Sequence, residues 1–226
     1  MPINIQQIEQ SSFLITWKNE INPNTSREIY HFNKAILRLY PALIIDSVPA
    51  YCSLTLYVNH GIAAQLFIDE LLELYENTDF YTKIKSSHWE IPVCYHPSLG
   101  LDLISLSRGL NFSVEKIISL HSTPIYTVDF IGFLPGFPYL SGLNKKLHAP
   151  RLSSPRVRVK KGSIGIGSNQ TGIYPLESPA GWNLIGNTPI DLFDSRKPNP
   201  CLLSPMDTLK FIPISLSQYH SICAND

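Results

Sequence analysis

Seven cationic side chains, Lys145, Lys146, Arg151, Arg156, Arg158, Lys160 and Lys161, follow one another with no acidic residue between them. The surrounding stretch, residues 132–186, carries seven Lys/Arg against one Asp/Glu, in a chain whose totals are 18 and 18. A local excess of about six positive charges favours an anionic ligand. Most of these side chains read as solvated surface. Arg156, held between Pro155 and Val157, is singled out for pairing with a carboxylate or phosphate, because a planar guanidinium fork matches both. His121 closes a short helical pattern. Its ordinary pKa lies near neutrality, which suits a general acid or base, and a C-terminal helix cap is an equally ordinary role. Gln170, Thr171, Tyr174, Trp182 and Asn183 supply neutral hydrogen-bonding groups and rings of the kind that line small-molecule pockets, although buried Gln and Asn also tie loops together. Pro135-Gly136 suits the central positions of a type II turn. Phe133, Phe137 and Tyr139 would gather around that turn, either as a plug closing a barrel end or as a ligand platform.

Nine of the twelve glycines also lie within 132–186. Gly162, Gly165 and Gly167 resemble a phosphate loop only loosely. No Gly-Lys-Ser/Thr ends the run, and Pro175 blocks the helix that would hold the phosphate. Both a P-loop and a dinucleotide fold are excluded. There is no Gly-x-Ser-x-Gly nucleophile elbow. Cys52, Cys94, Cys201 and Cys223 are scattered without metal spacing and read as reduced thiols. The N-terminal residues lack the basic start and apolar core of a signal peptide, and no apolar run is long enough to span a bilayer, so a cytoplasmic protein is expected. The residues alone support a cationic, aromatic, glycine-framed pocket for a small anion.

The elements that must position these residues divide near residue 84. Two short β-like runs, INIQQI and SFLITW, precede a helix opened by the Asn22-Pro23 cap, with Ile29, Phe32, Ile36 and Tyr40 at helical spacing. A second strand pair and a helix with an acidic outer face complete a ββαββα pattern, a small α+β sandwich domain over 1–84. Residues 85–226 form the second domain. WEIPVCYHP reads as a strand, 99–109 as a helix, and Ser113 as the N-cap of a helix reaching about His121. From Tyr126 to the PISLSQYHSI tail, short strands are cut by Gly and Pro with no long helical period, the pattern of a small β-barrel.

The segments His121-Ser122, IGFLPGFPYLSGL (131–143), APRLSSPR (149–156), GSIGIGSNQTGIYPLESPAGWNLIG (162–186) and TPIDLFD (188–194) resemble the family of KipI and allophanate hydrolase subunit 1, also called the B subunit of 5-oxoprolinase. The resemblance is dense over 91–214 and weaker before it. It implies a cyclophilin-like β-barrel behind the smaller α+β domain. It further implies a non-autonomous subunit of an ATP-dependent 5-oxoprolinase, opening pyroglutamate to glutamate only with subunits A and C, so that the isolated chain is expected to be inactive. Its motif residues at the pocket of this chain are His121, Gly136, Phe137, Tyr139, Arg156, Gln170, Thr171, Tyr174 and Trp182. From the chemistry of amide-ring opening, His121, Arg156 and Gln170 are assigned here as the catalytic groups and the others as substrate-binding, and no metal site is expected. The alternatives are a KipI-like inhibitor whose partner is a sensor histidine kinase, and a carboxyltransferase-like subunit of the urea carboxylase group. The chain departs from the family pattern at Ile125, Asp129 and Ala180, and reads Met206-Asp207 where the family usually has Gly-Asp.

Overall fold

The computed structural model describes residues 3–20 and 22–225, which fall into two compact units meeting in sequence at Lys85 and Ser86. In the first unit, β1 (Ile3–Glu9) and β2 (Ser12–Trp17) form a hairpin, followed by α1 (Pro23–Leu39), β3 (Ile44–Pro49), β4 (Ser53–Val58) and α2 (Ala64–Glu76). The expected cap is present: Asn22 Oδ1 accepts from the backbone of Asn24 and Thr25, both at 3.0 Å, and Pro23 occupies the first helical turn. The antiparallel sheet runs β1-β2-β4-β3. Alternation along β2 and β4 sends Phe13, Ile15, Leu54 and Leu56 to one face. There they bury against Ile29, Phe32 and Ile36 of α1 and Phe67 and Leu71 of α2.

The second unit opens with β5 (His88–Val93), α3 (Leu103–Leu110) and α4 (Val114–Ser122), then β6 (Tyr126–Ile131), β7 (Pro138–Ser141), β8 (Arg156–Val159), β9 (Ser163–Gly167), β10 (Gln170–Ile173), β11 (Ser178–Ala180), β12 (Asn183–Asn187), β13 (Thr208–Pro213) and α5 (Leu216–Asn225). Seven strands share one sheet in the order β12-β9-β10-β7-β6-β13-β5, antiparallel throughout except for the parallel β13–β5 pair. Its two edge strands are brought together at one end, where Cys94 and Asn187 exchange backbone hydrogen bonds of 2.9 and 3.1 Å. The sheet is therefore a nearly closed barrel, and a closed sheet has no free edge to protect. Its interior holds Ile91, Val93, Tyr126, Val128, Leu140, Ile164, Ile166, Ile173, Leu209 and Phe211. The α+β class with a C-terminal barrel is as expected. β8 and β11 stand apart as a two-stranded arm.

Two local features extend the sequence reading. The tail is helical from Leu216: Ser215 Oγ accepts from Gln218 N at 3.2 Å while Gln218 Oε1 accepts from Ser215 N at 2.8 Å, a reciprocal capping box. At the Met206-Asp207 departure, Met206 adopts φ 72°, the conformation a glycine would enter freely. Asp207 holds the turn in place, accepting from Ser87 N at 2.7 Å, Ser204 N at 3.0 Å and Trp89 Nε1 at 3.1 Å. No helix among the described residues is long and apolar enough to cross a membrane.

Candidate functional site

The pocket begins with a bed made of glycine. Gly165 and Gly167 lie on β9, and a Cβ on Gly167 would fall 2.4 Å from Trp182 Cδ1, so the indole packs flat where a side chain would otherwise stand. Pro135-Gly136 forms the expected tight turn: Phe137 N donates to Leu134 O at 3.0 Å and Gly136 has φ 78°, the value that a type II turn requires at its second central residue. That turn aims Phe137 inward. Phe137 meets Tyr139, Tyr174 and Trp182 at centroid distances of 5.0, 5.2 and 5.6 Å with steep interplanar angles, the edge-to-face arrangement that aromatic quadrupoles favour. Phe133 adds a fifth ring at the rim, 5.5 Å from Phe137 and 6.4 Å from Tyr174. Together these rings surround a cavity of about 250 Å³.

One charged side chain lines this cavity. Arg151 lies over the Trp182 ring at 5.7 Å, and no carboxylate among the described residues pairs with it. Burial raises the phenol pKa values of Tyr139 and Tyr174, while the Arg151 charge pulls both back. Both phenols therefore stay protonated at neutral pH, leaving the pocket with hydrogen-bond donors, π faces and one cation. A larger cavity of about 630 Å³ lies in the first unit, lined by Lys34, Arg38, Asn77 and Asp79 among others. Its walls carry no aromatic side chain apart from the His31 ring, and its acid is occupied by Thr82 Oγ1 at 2.7 Å and Tyr81 N at 2.8 Å, so the smaller ring-lined pocket is the better ligand site.

The residues expected at the pocket separate into groups. Phe137, Tyr139, Tyr174 and Trp182 line it together. Gly136 supports it from outside, because a Cβ there would sit 2.9 Å from Phe193 Cβ. Gln170 begins β10, half-buried, with its Oε1 buried and lacking a protein partner. Thr171 points into the barrel interior, fully buried.

His121 departs from the expectation of a pocket base titrating near neutrality. It is fully buried, stacked on Phe211 at 4.6 Å, with Nδ1 2.8 Å from Tyr95 Oη and Nε2 3.1 Å from Thr171 Oγ1. Burial pushes its pKa down to about 3, because charging the ring there would forfeit hydration. Its place is the barrel core, not the pocket wall.

Arg156 departs as well. Its Nη2 lies 2.5 Å from Asp102 Oδ1, and the other Asp102 oxygen accepts from Leu184 N at 2.7 Å. Through Nη2 the guanidinium fastens the β8 arm to the start of α3 and, by way of Asp102, to β12, while its buried Nη1 has no protein partner among the described residues. Sequence reasoning does not single out the cation that the pocket uses, because Arg151 lies in the cationic run without a feature to distinguish it. Phe133 is visible as part of the aromatic turn. Asp102 gives no local signal.

Comparison with known proteins agrees with this architecture. A family model, the carboxyltransferase domain, subdomain C and D, matches residues 3–203. The B subunit of 5-oxoprolinase from Bacillus subtilis is 36% identical over 96% of this chain and 95% of its own length. Its Haemophilus influenzae counterpart is 37% identical over 93% of this chain and 97% of its own. The crystal structure of Kluyveromyces lactis urea carboxylase superposes with a TM-score of 0.81 at 18% identity, covering 99% of this chain and 23% of that much longer one, a likeness of fold. The family model and the end-to-end identity together show that the chain belongs to the family of 5-oxoprolinase B subunits, with a carboxyltransferase-like fold.

Proposed function

We propose that the chain is the B component of a heteromeric, ATP-dependent 5-oxoprolinase, and that it contributes the ring-lined pocket to substrate handling while subunits A and C complete the reaction. The observation that carries this reading is the chemistry of the pocket: rings on its walls and a single cation, Arg151. Such a site binds and orients a small acid. Opening a lactam also needs an activated carbonyl and a base. Neither a histidine nor a carboxylate lines this cavity, and its two phenols are held protonated, which supports a division of labour between subunits.

ATP belongs to this proposal as a substrate of the assembled complex. The glycine-rich strands of this chain do not fit it. Gly165 and Gly167 are covered by Trp182, and a Cβ on Gly162 would sit 2.3 Å from Thr188 O, so no backbone cradle is open to a phosphate. The chain's own contribution is therefore binding and orientation.

The test is reconstitution. The chain is purified alone and with its A and C counterparts, and 5-oxoproline loss and ADP formation are followed. Turnover in the full complex, with none from the chain alone, is the expected result. An intact complex without 5-oxoproline-dependent ADP formation would overturn the reading.

A further inference from the structure

Phe133 holds a backbone conformation that its own side chain opposes. Leu134 N donates to Gly132 O at 2.9 Å, closing a three-residue γ-turn with Phe133 at its centre at φ 69°. The positive-φ γ-turn is the rare and strained form, and a bulky residue at such an angle is a true outlier. The strain is fixed from both sides, by the Pro135-Gly136 turn and by a bond of 3.1 Å from Gly132 N to Phe137 O. Folding gains little in return, since Phe133 remains 60% exposed. Strain that burial does not offset marks a position where the presented side chain matters. The presented ring stands at the rim of the aromatic cavity, edge-on to Phe137 and Tyr174.

Arg151 is the counterpart in charge. It is exposed, rests on the Trp182 face, and no carboxylate among the described residues neutralises it. A guanidinium braced on a ring presents its fork in a defined plane, ready to donate two parallel hydrogen bonds to one carboxylate. Tyr139 and Tyr174 beside it have their phenols protonated and add no competing negative charge.

We propose that Phe133 and Arg151 form a two-point clamp for a small cyclic carboxylate, with Phe133 covering the ring of the ligand and Arg151 pairing with its carboxylate. This rests on reading the pocket as the substrate site, and it assigns the recognition of the acid to Arg151, not Arg156. The apolar walls accept a compact ring, and the cation selects the acid over its neutral analogue.

The experiment measures binding to the full chain, alone and within the reconstituted complex, by calorimetry and saturation-transfer NMR. The probes are 5-oxoproline, cyclopentanecarboxylate and 2-pyrrolidinone. Both acids are expected to bind, with the neutral lactam at least about tenfold weaker, as loss of a charge-assisted pair implies. Arg151→Gln should weaken the acids about tenfold or more, and Phe133→Ala several-fold. Phe133→Gly should lose the same affinity yet unfold at a temperature about 2–4 °C above Phe133→Ala, because glycine relieves the turn. Equal binding of acid and neutral lactam, wild-type affinity in either variant, or no binding of any probe in either preparation would overturn the clamp. So would a Phe133→Gly protein that melts below Phe133→Ala, since the conformation would then be unstrained. The two readings fail separately. Acid-selective binding without turnover in the complex rejects the proposed reaction and keeps the clamp, whereas turnover with unchanged KM in both variants rejects the clamp and keeps the reaction.

Discussion

His121 and Thr171 are joined inside the barrel by a contact of 3.1 Å between Nε2 and Oγ1, and the direction of that hydrogen bond is fixed by its neighbours. Thr171 has one hydroxyl hydrogen, and it is donated to Gly165 O at 2.9 Å. The threonine oxygen must therefore accept, so Nε2 carries the imidazole hydrogen and Nδ1 accepts from Tyr95 Oη at 2.8 Å. The chain of donors runs from Tyr95 through His121 and Thr171 to β9, with every group satisfied in the neutral state. A second proton on His121 would leave two donors facing at Nδ1 and Tyr95 unless the phenol turned away. The arrangement locks α4 to the barrel instead of delivering a proton to a substrate.

A pH dependence of stability follows from this burial. His121 has a pKa depressed from an ordinary value of about 6.5 to about 3 in the folded chain. Between those values the unfolded chain binds the proton and the folded one does not, so unfolding takes up a proton and stability rises with pH. The contribution is fully present above about pH 6.5 and is lost as the pH falls toward about 3, with a slope near 1.4 kcal/mol per unit from this group alone. Urea midpoints measured from pH 7.5 to 4.5 should show the decline, and His121→Phe should flatten it. An unchanged slope in that variant would move the effect to other groups.

The Asp102–Arg156 pair predicts a stability defect without a binding defect. Asp102 is nearly buried, and its two oxygens serve Arg156 Nη2 and Leu184 N. Asp102→Ala strands a guanidinium and a buried N–H, and should cost about 3 kcal/mol by denaturant unfolding. Arg156→Gln leaves Asp102 its backbone donor and should cost less, about 1–2 kcal/mol. In the reconstituted complex the KM for 5-oxoproline should remain as in the wild type for Arg156→Gln. A tenfold rise in that KM would restore Arg156 to the substrate.

The β9–β10 hairpin carries a position where a substitution should stabilise. Gln170 pairs with Gly167, leaving Ser168 and Asn169 as a two-residue loop. Ser168 has φ 58°, and Asn169 is not among the positive-φ residues, the pattern of a type II′ turn whose first central residue is ordinarily glycine. Ser168 is exposed, so nothing is lost from the core. Relief of strain outweighs the added freedom of the unfolded chain, and Ser168→Gly should gain about 0.5–1 kcal/mol. A urea midpoint raised at constant slope is the expected reading.

Local signals were legible in the sequence because each is decided within a few residues. The Asn22-Pro23 and Ser113 caps, the Pro135-Gly136 turn and the clustering of Phe133, Phe137 and Tyr139 all follow from side-chain chemistry acting over one turn. The α5 start is set just as locally, by Ser215 and Gln218, although the sequence pattern predicts no helix for that tail. What the sequence leaves open is pairing at a distance. Arg156 meets an acid 54 residues earlier in the chain, and His121 meets Thr171 50 residues later. Residue type shows that Arg156 wants an anion and that His121 can titrate. Only the barrel decides that the anion is Asp102 and that the imidazole is sealed from water. Arg151, five positions from Arg156 by residue number, lies before β8 and rests over the Trp182 ring instead.

Gly167 provides the sharpest test of how the barrel builds its pocket. An added Cβ would lie 2.4 Å from Trp182 Cδ1 and 2.5 Å from its Nε1, too close for the indole to keep its place. The ring is wedged between Gly167 and the pocket rings Phe137 and Tyr139, at 5.6 and 6.1 Å, so it has no empty space to enter except the cavity itself. Gly167→Ala should therefore cost about 1–3 kcal/mol by overpacking, whereas Gly→Ala at an unstrained position with open space would stabilise slightly through the unfolded chain. It should also displace Trp182 from beneath Arg151, raising the KM for 5-oxoproline in the complex several-fold. Gly109, on α3 with nothing within 4 Å of its Cβ position, is the control: Gly109→Ala should leave KM unchanged and stability equal or higher. If Gly167→Ala behaves like that control, the indole is free to move and the glycine bed does not set the pocket.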